Sequence, residues 1–66
     1  MTSTERAEII ARMVASQRER GRPAEQIAAN EQAARFMPLH FLRYFDAREI
    51  ATLMQFRTRT NAKATP

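Results

Sequence analysis

The sequence predicts an all-α fold: two or three helices in an antiparallel helical hairpin, completed as a homodimer. Three observations carry this expectation. The one Gly and three Pro fall at Gly21, Pro23, Pro38 and the terminal Pro66, so that long stretches between them are free of helix breakers. Apolar residues recur at three- and four-residue spacing in the first and last thirds of the chain, the period of a helix face. Four of the five aromatics (Phe36, Phe41, Tyr44 and Phe45) crowd into FMPLHFLRYF, residues 36 to 45. A domain of this size buries only about 60% of the surface its unfolded chain exposes, so a single copy cannot hide that much apolar area.

The first helix is expected to begin near Ser3 or Thr4, with Thr2 and Glu5 at capping-box spacing. Ile9, Ile10, Met13 and Val14 then share a wide face with Ala7 and Gln17, whereas Glu5, Glu8, Arg12 and Glu19 lie opposite. Glu8 and Arg12 stand in the favourable i, i+4 order for an ion pair. Arg18, Arg20 and Arg22 complement the negative end of the helix dipole, and Gly21 supplies a left-handed cap. The same three arginines form a cationic knob suited to an acidic partner.

Pro23 opens the second segment at a first helical position, where its missing N–H costs nothing. AEQIAANEQAARFM is rich in helix formers but has only Ile27, Phe36 and Met37 as large apolar residues. It reads either as a short, loosely packed helix or as a partly extended connection.

Pro38 opens the aromatic segment. Leu39, Phe41, Leu42, Tyr44 and Phe45 point around nearly the whole circumference of a helix, with only His40 and Arg43 polar between them. A helix apolar on nearly all sides has more than one neighbour. Asp46 and Glu49 repeat the capping spacing before Ile50, Leu53 and Met54, and the uninterrupted run to Arg57 favours one long or slightly bent helix. Residues 58 to 66, with Thr, Asn and Lys and no large apolar side chain, read as a flexible basic tail on a single domain spanning residues 1 to 66.

Composition narrows the function classes. The chain has no Cys and one His, which closes the disulfide and metal routes by which small folds are stapled and leaves association with another chain. No run reaches the ~18 apolar residues of a membrane span, and charges occupy the N-terminus where a signal peptide has its apolar core, so a cytoplasmic protein is expected. Ten of the eleven basic residues are Arg and the net charge is +4, a surplus that suits nucleic acid, an acidic protein face or an anionic membrane. The mixed Glu and Arg polar face of the first helix argues against the membrane.

Nothing resembles a phosphate loop, nucleophile elbow or paired-carboxylate site, and no enzyme activity, cofactor or metal is expected. DNA binding remains an alternative. DAREIATLMQFRTRTNAKA resembles a helix-turn-helix with its turn near Gln55, which would make binding depend on salt and on Arg57, Arg59 and Lys63.

The amphipathic first helix ending in RMVASQRERGRP, together with QAARFMPLHFLRYFDAREIATLM, resembles the small helical anti-activators encoded by temperate phages of pseudomonads. The likeness covers roughly residues 3 to 57. It implies a helical dimer that binds and inhibits a host protein: a quorum-sensing transcriptional activator and, in some cases, the type IV pilus assembly ATPase. The resemblance transfers no site residue. From chemistry alone, Arg43, Tyr44 and Arg48 are the expected partner-binding residues, since Tyr and Arg join large contact area to polar reach, with Arg18, Arg20 and Arg22 in support. Ile10, Met13, Val14, Leu39, Leu42, Phe45, Ile50 and Leu53 are the expected core or dimer residues.

Overall fold

Local sequence sets three helices, and their ends follow from identifiable backbone chemistry. In a computed structural model that describes residues 3–64, α1 spans Ser3–Glu19, α2 Ala24–Phe36 and α3 Leu39–Ala64. No strand occurs among the described residues. The cap expected at Thr2 lies outside them.

The end of α1 is closed by its own backbone. Gly21 takes φ +77°, and its N–H donates to the Arg18 carbonyl while the Arg22 N–H donates to that of Gln17, both at 3.0 Å. This is a Schellman arrangement, which satisfies carbonyls that the ending helix leaves without partners. Pro23 sits one position earlier than expected, as the N-cap of α2. Its carbonyl accepts from the N–H groups of Gln26 and Ile27 at 3.1 and 3.0 Å. Met37 ends α2 in an extended conformation (φ −74°, ψ 139°), which the following Pro38 requires by its clash with a helical neighbour. The Pro38 carbonyl then receives the Leu42 N–H at 3.0 Å and starts α3.

The third helix departs from expectation at its far end. It is unbroken from Leu39 to Ala64 and so passes Arg57 by seven residues, into the segment read as a flexible tail. Thr and Asn are only mildly unfavourable in a helix interior and no Gly or Pro intervenes before residue 64, so propagation continues at low cost. The same continuity removes the turn that a helix-turn-helix places near Gln55.

Helix direction can be read from the side-chain bonds. Arg43 meets Glu5, Asp46 meets Arg12, Glu49 meets Ser16, and Arg57 meets Glu19, so α3 runs alongside α1 in the same direction. Contacts of Arg6 with Ala34 and Met37, and of Gln17 with Asn30, run in the reverse order and set α2 opposed to α1. The first helix is therefore the shared neighbour, and α2 and α3 scarcely touch. At ~1.5 Å per residue α3 is about 39 Å long, and its last two turns continue past the level of Glu19. The radius of gyration, 13.2 Å, accordingly exceeds the ~11 Å of a compact chain of this length.

The core is thin. Ile9, Ala34 and Leu42 are buried together, with Ile10, Met13, Met37 and Leu39 packed around them. Complete burial of Ile9 and Leu42 contributes about 1.5–3 kcal/mol each. Arg6 adds a polar clamp beside this cluster. Its Nη1 donates to the carbonyls of Ala34 (2.9 Å) and Met37 (2.6 Å), so that a cation from α1 covers the carbonyl end of α2.

Candidate protein-binding surface

The α1–α3 contact is largely polar, and this decides which arginines remain available. Glu49 is the hub of the seam. Its carboxylate accepts from Ser16 Oγ at 2.6 Å, from Arg20 Nη2 at 2.6 Å and, at longer range, from Gln17 Nε2 at 3.5 Å. Burial pushes the Glu49 carboxyl up, but the bonds from Ser16 and Arg20, the Arg20 charge and the Gln17 bond together outweigh it and hold it below the ordinary carboxylate range. Ser16 and Gln17 are themselves buried. Outside this hub Arg12 pairs with Asp46 at 2.8 Å, and two bidentate bridges, Arg43–Glu5 and Arg57–Glu19, close the two ends. The Arg43 and Arg57 hydrogen bonds hold the carboxyls of Glu5 and Glu19 below their usual range.

This seam corrects several expectations. The face of α1 that carries Glu5, Arg12 and Glu19 borders α3 and pairs with it while staying partly exposed, and the ion pair of Arg12 is with Asp46 and not with Glu8. Asp46 and Glu49 are cross-helix partners and not a cap. Arg20 leaves the cationic knob, because one turn beyond Ser16 it lies on the same stripe and turns inward to Glu49. Arg18 and Arg22 stay exposed, with no carboxylate partner among the described residues. The seam was partly legible in sequence: Arg12, Ser16 and Arg20 repeat every four residues, and Asp46 and Glu49 lie three apart. No single-helix pattern, however, says that two such stripes meet.

The expected partner-binding trio is split. Arg43 is committed to Glu5, on the flank of α3 away from Tyr44. Tyr44 and Arg48 stay together: Arg48 Nη1 donates to the Tyr44 hydroxyl at 3.4 Å, and the guanidinium lies 5.8 Å from the centre of the ring. Phe45 meets the Tyr44 ring edge-on at 5.5 Å between centroids, and Phe41 stacks obliquely on His40 at 4.4 Å. Phe41, Tyr44, Phe45 and Arg48 thus form one exposed ridge, with Tyr44 56% accessible. At the preceding helix end Phe36 stands 79% accessible.

The expected core residues distribute unevenly. Leu42 is fully buried, Ile10, Met13 and Leu39 pack around it, and Val14 and Leu53 are half-buried. Phe45 and Ile50 lie outside the chain's own core and are exposed. Ile9, Ile27 and Ala34 are buried instead. Leu42 points at α1, and 100° per residue puts Phe45 and Ile50 on opposite flanks of it, where both stay exposed. Ile50 shares its flank with exposed Met54.

Because α2 and α3 diverge on either side of α1, an open groove of about 500 Å³ separates them. Met13 and Ala34 line its base, Ala33 and Met37 one side, and Phe45, Arg48 and Thr52 the other. The Phe41–Tyr44–Phe45–Arg48 ridge continues the α3 wall outward. Among the described residues no cluster of three or more His, Cys, Asp and Glu is placed to hold a metal, and no helix is long and apolar enough to cross a membrane.

The fold and surface thus define an all-α chain of three helices with uncovered aromatic surface. Comparison with family models, curated proteins and solved structures gives no match.

Proposed function

We propose that this chain is a non-enzymatic binding protein that acts as a homodimer and inhibits the protein it occupies. The observation that carries the reading is the exposed ridge of Phe41, Tyr44, Phe45 and Arg48, which joins three aromatic rings and a cation on a surface that its own helices leave open. Exposed aromatic groups of this kind mark interaction sites, and Tyr and Arg are the residue types that dominate interface energetics. In this reading α1 and α2 form the antiparallel hairpin, α3 extends it, and the Ile50–Met54 flank receives a second copy. The ridge is left for the partner.

The resemblance to phage anti-activators supplies the first candidates: a quorum-sensing transcriptional activator, then the type IV pilus assembly ATPase, both met in the cytoplasm of the bacterial host. The partner test measures promoter binding by the purified activator, and hydrolysis by the purified ATPase, as this protein is titrated in. Inhibition by the parent chain that is lost in Tyr44→Ala, with unchanged circular dichroism, supports the assignment; no inhibition of either target overturns it. Sedimentation velocity over a concentration series tests the dimer, which Ile50→Glu should dissociate. A monomer at every concentration would remove the homodimer from the proposal.

A further inference from the structure

The groove between α2 and α3 has the shape and charge of a receptor for one kind of partner element. We infer that it takes an amphipathic α-helix carrying a carboxylate beside its apolar stripe, the carboxylate pairing with Arg48. This rests on the protein-binding reading and specifies the chemistry of the partner.

Shape favours a helix. Two helices that diverge from a common neighbour leave room for a further helix to complete a bundle, at the 8–10 Å spacing of packed helices. The α2 wall presents Ala33, with Ala34 at the groove base, and these small side chains allow close backbone approach. Neither wall offers a strand edge, so an extended peptide would leave half its backbone N–H and C=O groups without partners, whereas a helix satisfies its own. Met13 and Met37 adapt to varied apolar side chains.

Charge selects which helix. The other charged group on the lining, Glu49, is neutralised by Arg20. Arg48 has no carboxylate partner among the described residues and is held over the Tyr44 ring, poised at the groove wall. An incoming Asp or Glu completes a charge-assisted pair beside a desolvating apolar contact. A second copy fits this groove poorly. A two-fold contact sets groove against groove, which fills neither, and brings together two chains of net charge +4.

The test is a selection of helical peptides against the immobilised 66-residue chain, from a library with apolar residues at i, i+3, i+4 and i+7 and random flanking positions. Selected peptides are then titrated into isotopically labelled protein and followed by NMR. The inference expects enrichment of Asp or Glu beside the stripe and shifts centred on Ala33, Met37 and Thr52. It also expects affinity to fall about tenfold or more in Arg48→Glu, the loss of one charged pair, and to return for peptides in which Lys replaces the acid. Arg48 is exposed, so circular dichroism should show Arg48→Glu folded.

Four results overturn it: no peptide is selected, the selected peptides ignore charge, the shifts fall on the Ile50–Met54 flank, or groove signals move with protein concentration alone. The last identifies a second copy as the occupant. If a candidate partner is inhibited as proposed while selected helices ignore Arg48, the acidic-helix inference fails and the protein-binding reading stands. If no helix is selected and no partner is inhibited, both fall.

Discussion

Glu49→Ala should come close to unfolding this protein. The carboxylate is 12% exposed and its partner Arg20 16%, so both ions are largely removed from water, and the Ser16 and Arg20 bonds at 2.6 Å are short and charge-assisted. Deleting the carboxylate leaves Arg20 facing a cavity and buried Ser16 without its acceptor. Hydrogen bonds to charged groups contribute about 1.5–3 kcal/mol each, and breaking a fully buried pair costs about 3–5 kcal/mol, so a partly solvated one should cost roughly 2–4 kcal/mol. A chain of this size holds about 3–5 kcal/mol in total.

Urea and thermal unfolding followed by circular dichroism, at fixed protein concentration, measure the loss. For a domain of this length it corresponds to a fall in Tm of about 15–30 °C. The paired substitution Arg20→Met with Glu49→Leu should recover the part of the loss that comes from the orphaned charge, leaving only the cost of the unpaired Ser16 hydroxyl. It removes both charges together, and with them the buried Arg20 Nε that has no partner. A single Glu49→Ala within about 0.5 kcal/mol of the parent, the size of an ordinary surface substitution, would refute the seam as a stabilising contact. A double variant as unstable as the single one would refute the orphaned charge as the cause.

Two other consequences are independent of that seam. Leu42→Ala should lose about 2–5 kcal/mol by vacating the centre of the core, leaving little helical signal at room temperature. Gly21→Ala should cost about 1–2 kcal/mol through its left-handed backbone alone, because an added Cβ meets nothing within 4 Å; no loss on urea titration would remove the conformational argument. Stability should also depend on acid. Glu49 titrates lower in the folded chain than unfolded, so the stability it contributes is complete above the ordinary Glu pKa of about 4.3 and disappears as pH falls through the folded value. Urea midpoints measured downward from pH 7 should hold to about pH 5 and then fall, and this extra acid sensitivity should vanish in Glu49→Gln.

Sequence alone determined what one segment decides for itself. Helical periodicity, the Gly21 cap and the Pro38 boundary each depend on neighbouring residues, through backbone sterics and hydrogen bonds that close within a turn. Leu42 was legible as a buried residue because it lies at the centre of an apolar segment. The aromatic excess was legible too, since it is a matter of area against chain length.

Only the tertiary structure decided which stripe meets which. The parallel register of α1 and α3 paired Glu5, Arg12 and Glu19, read only as the face opposite the apolar stripe, across a seam, and drew Arg20 and Arg43 out of the presumed binding set. The same register left Tyr44 and Arg48 together on an open ridge and placed Phe45 and Ile50 on opposite flanks. Side-chain charge and apolarity are properties of residues, whereas burial is a property of the neighbour that happens to stand opposite. In a chain this small one helix neighbour more or less divides core from interface.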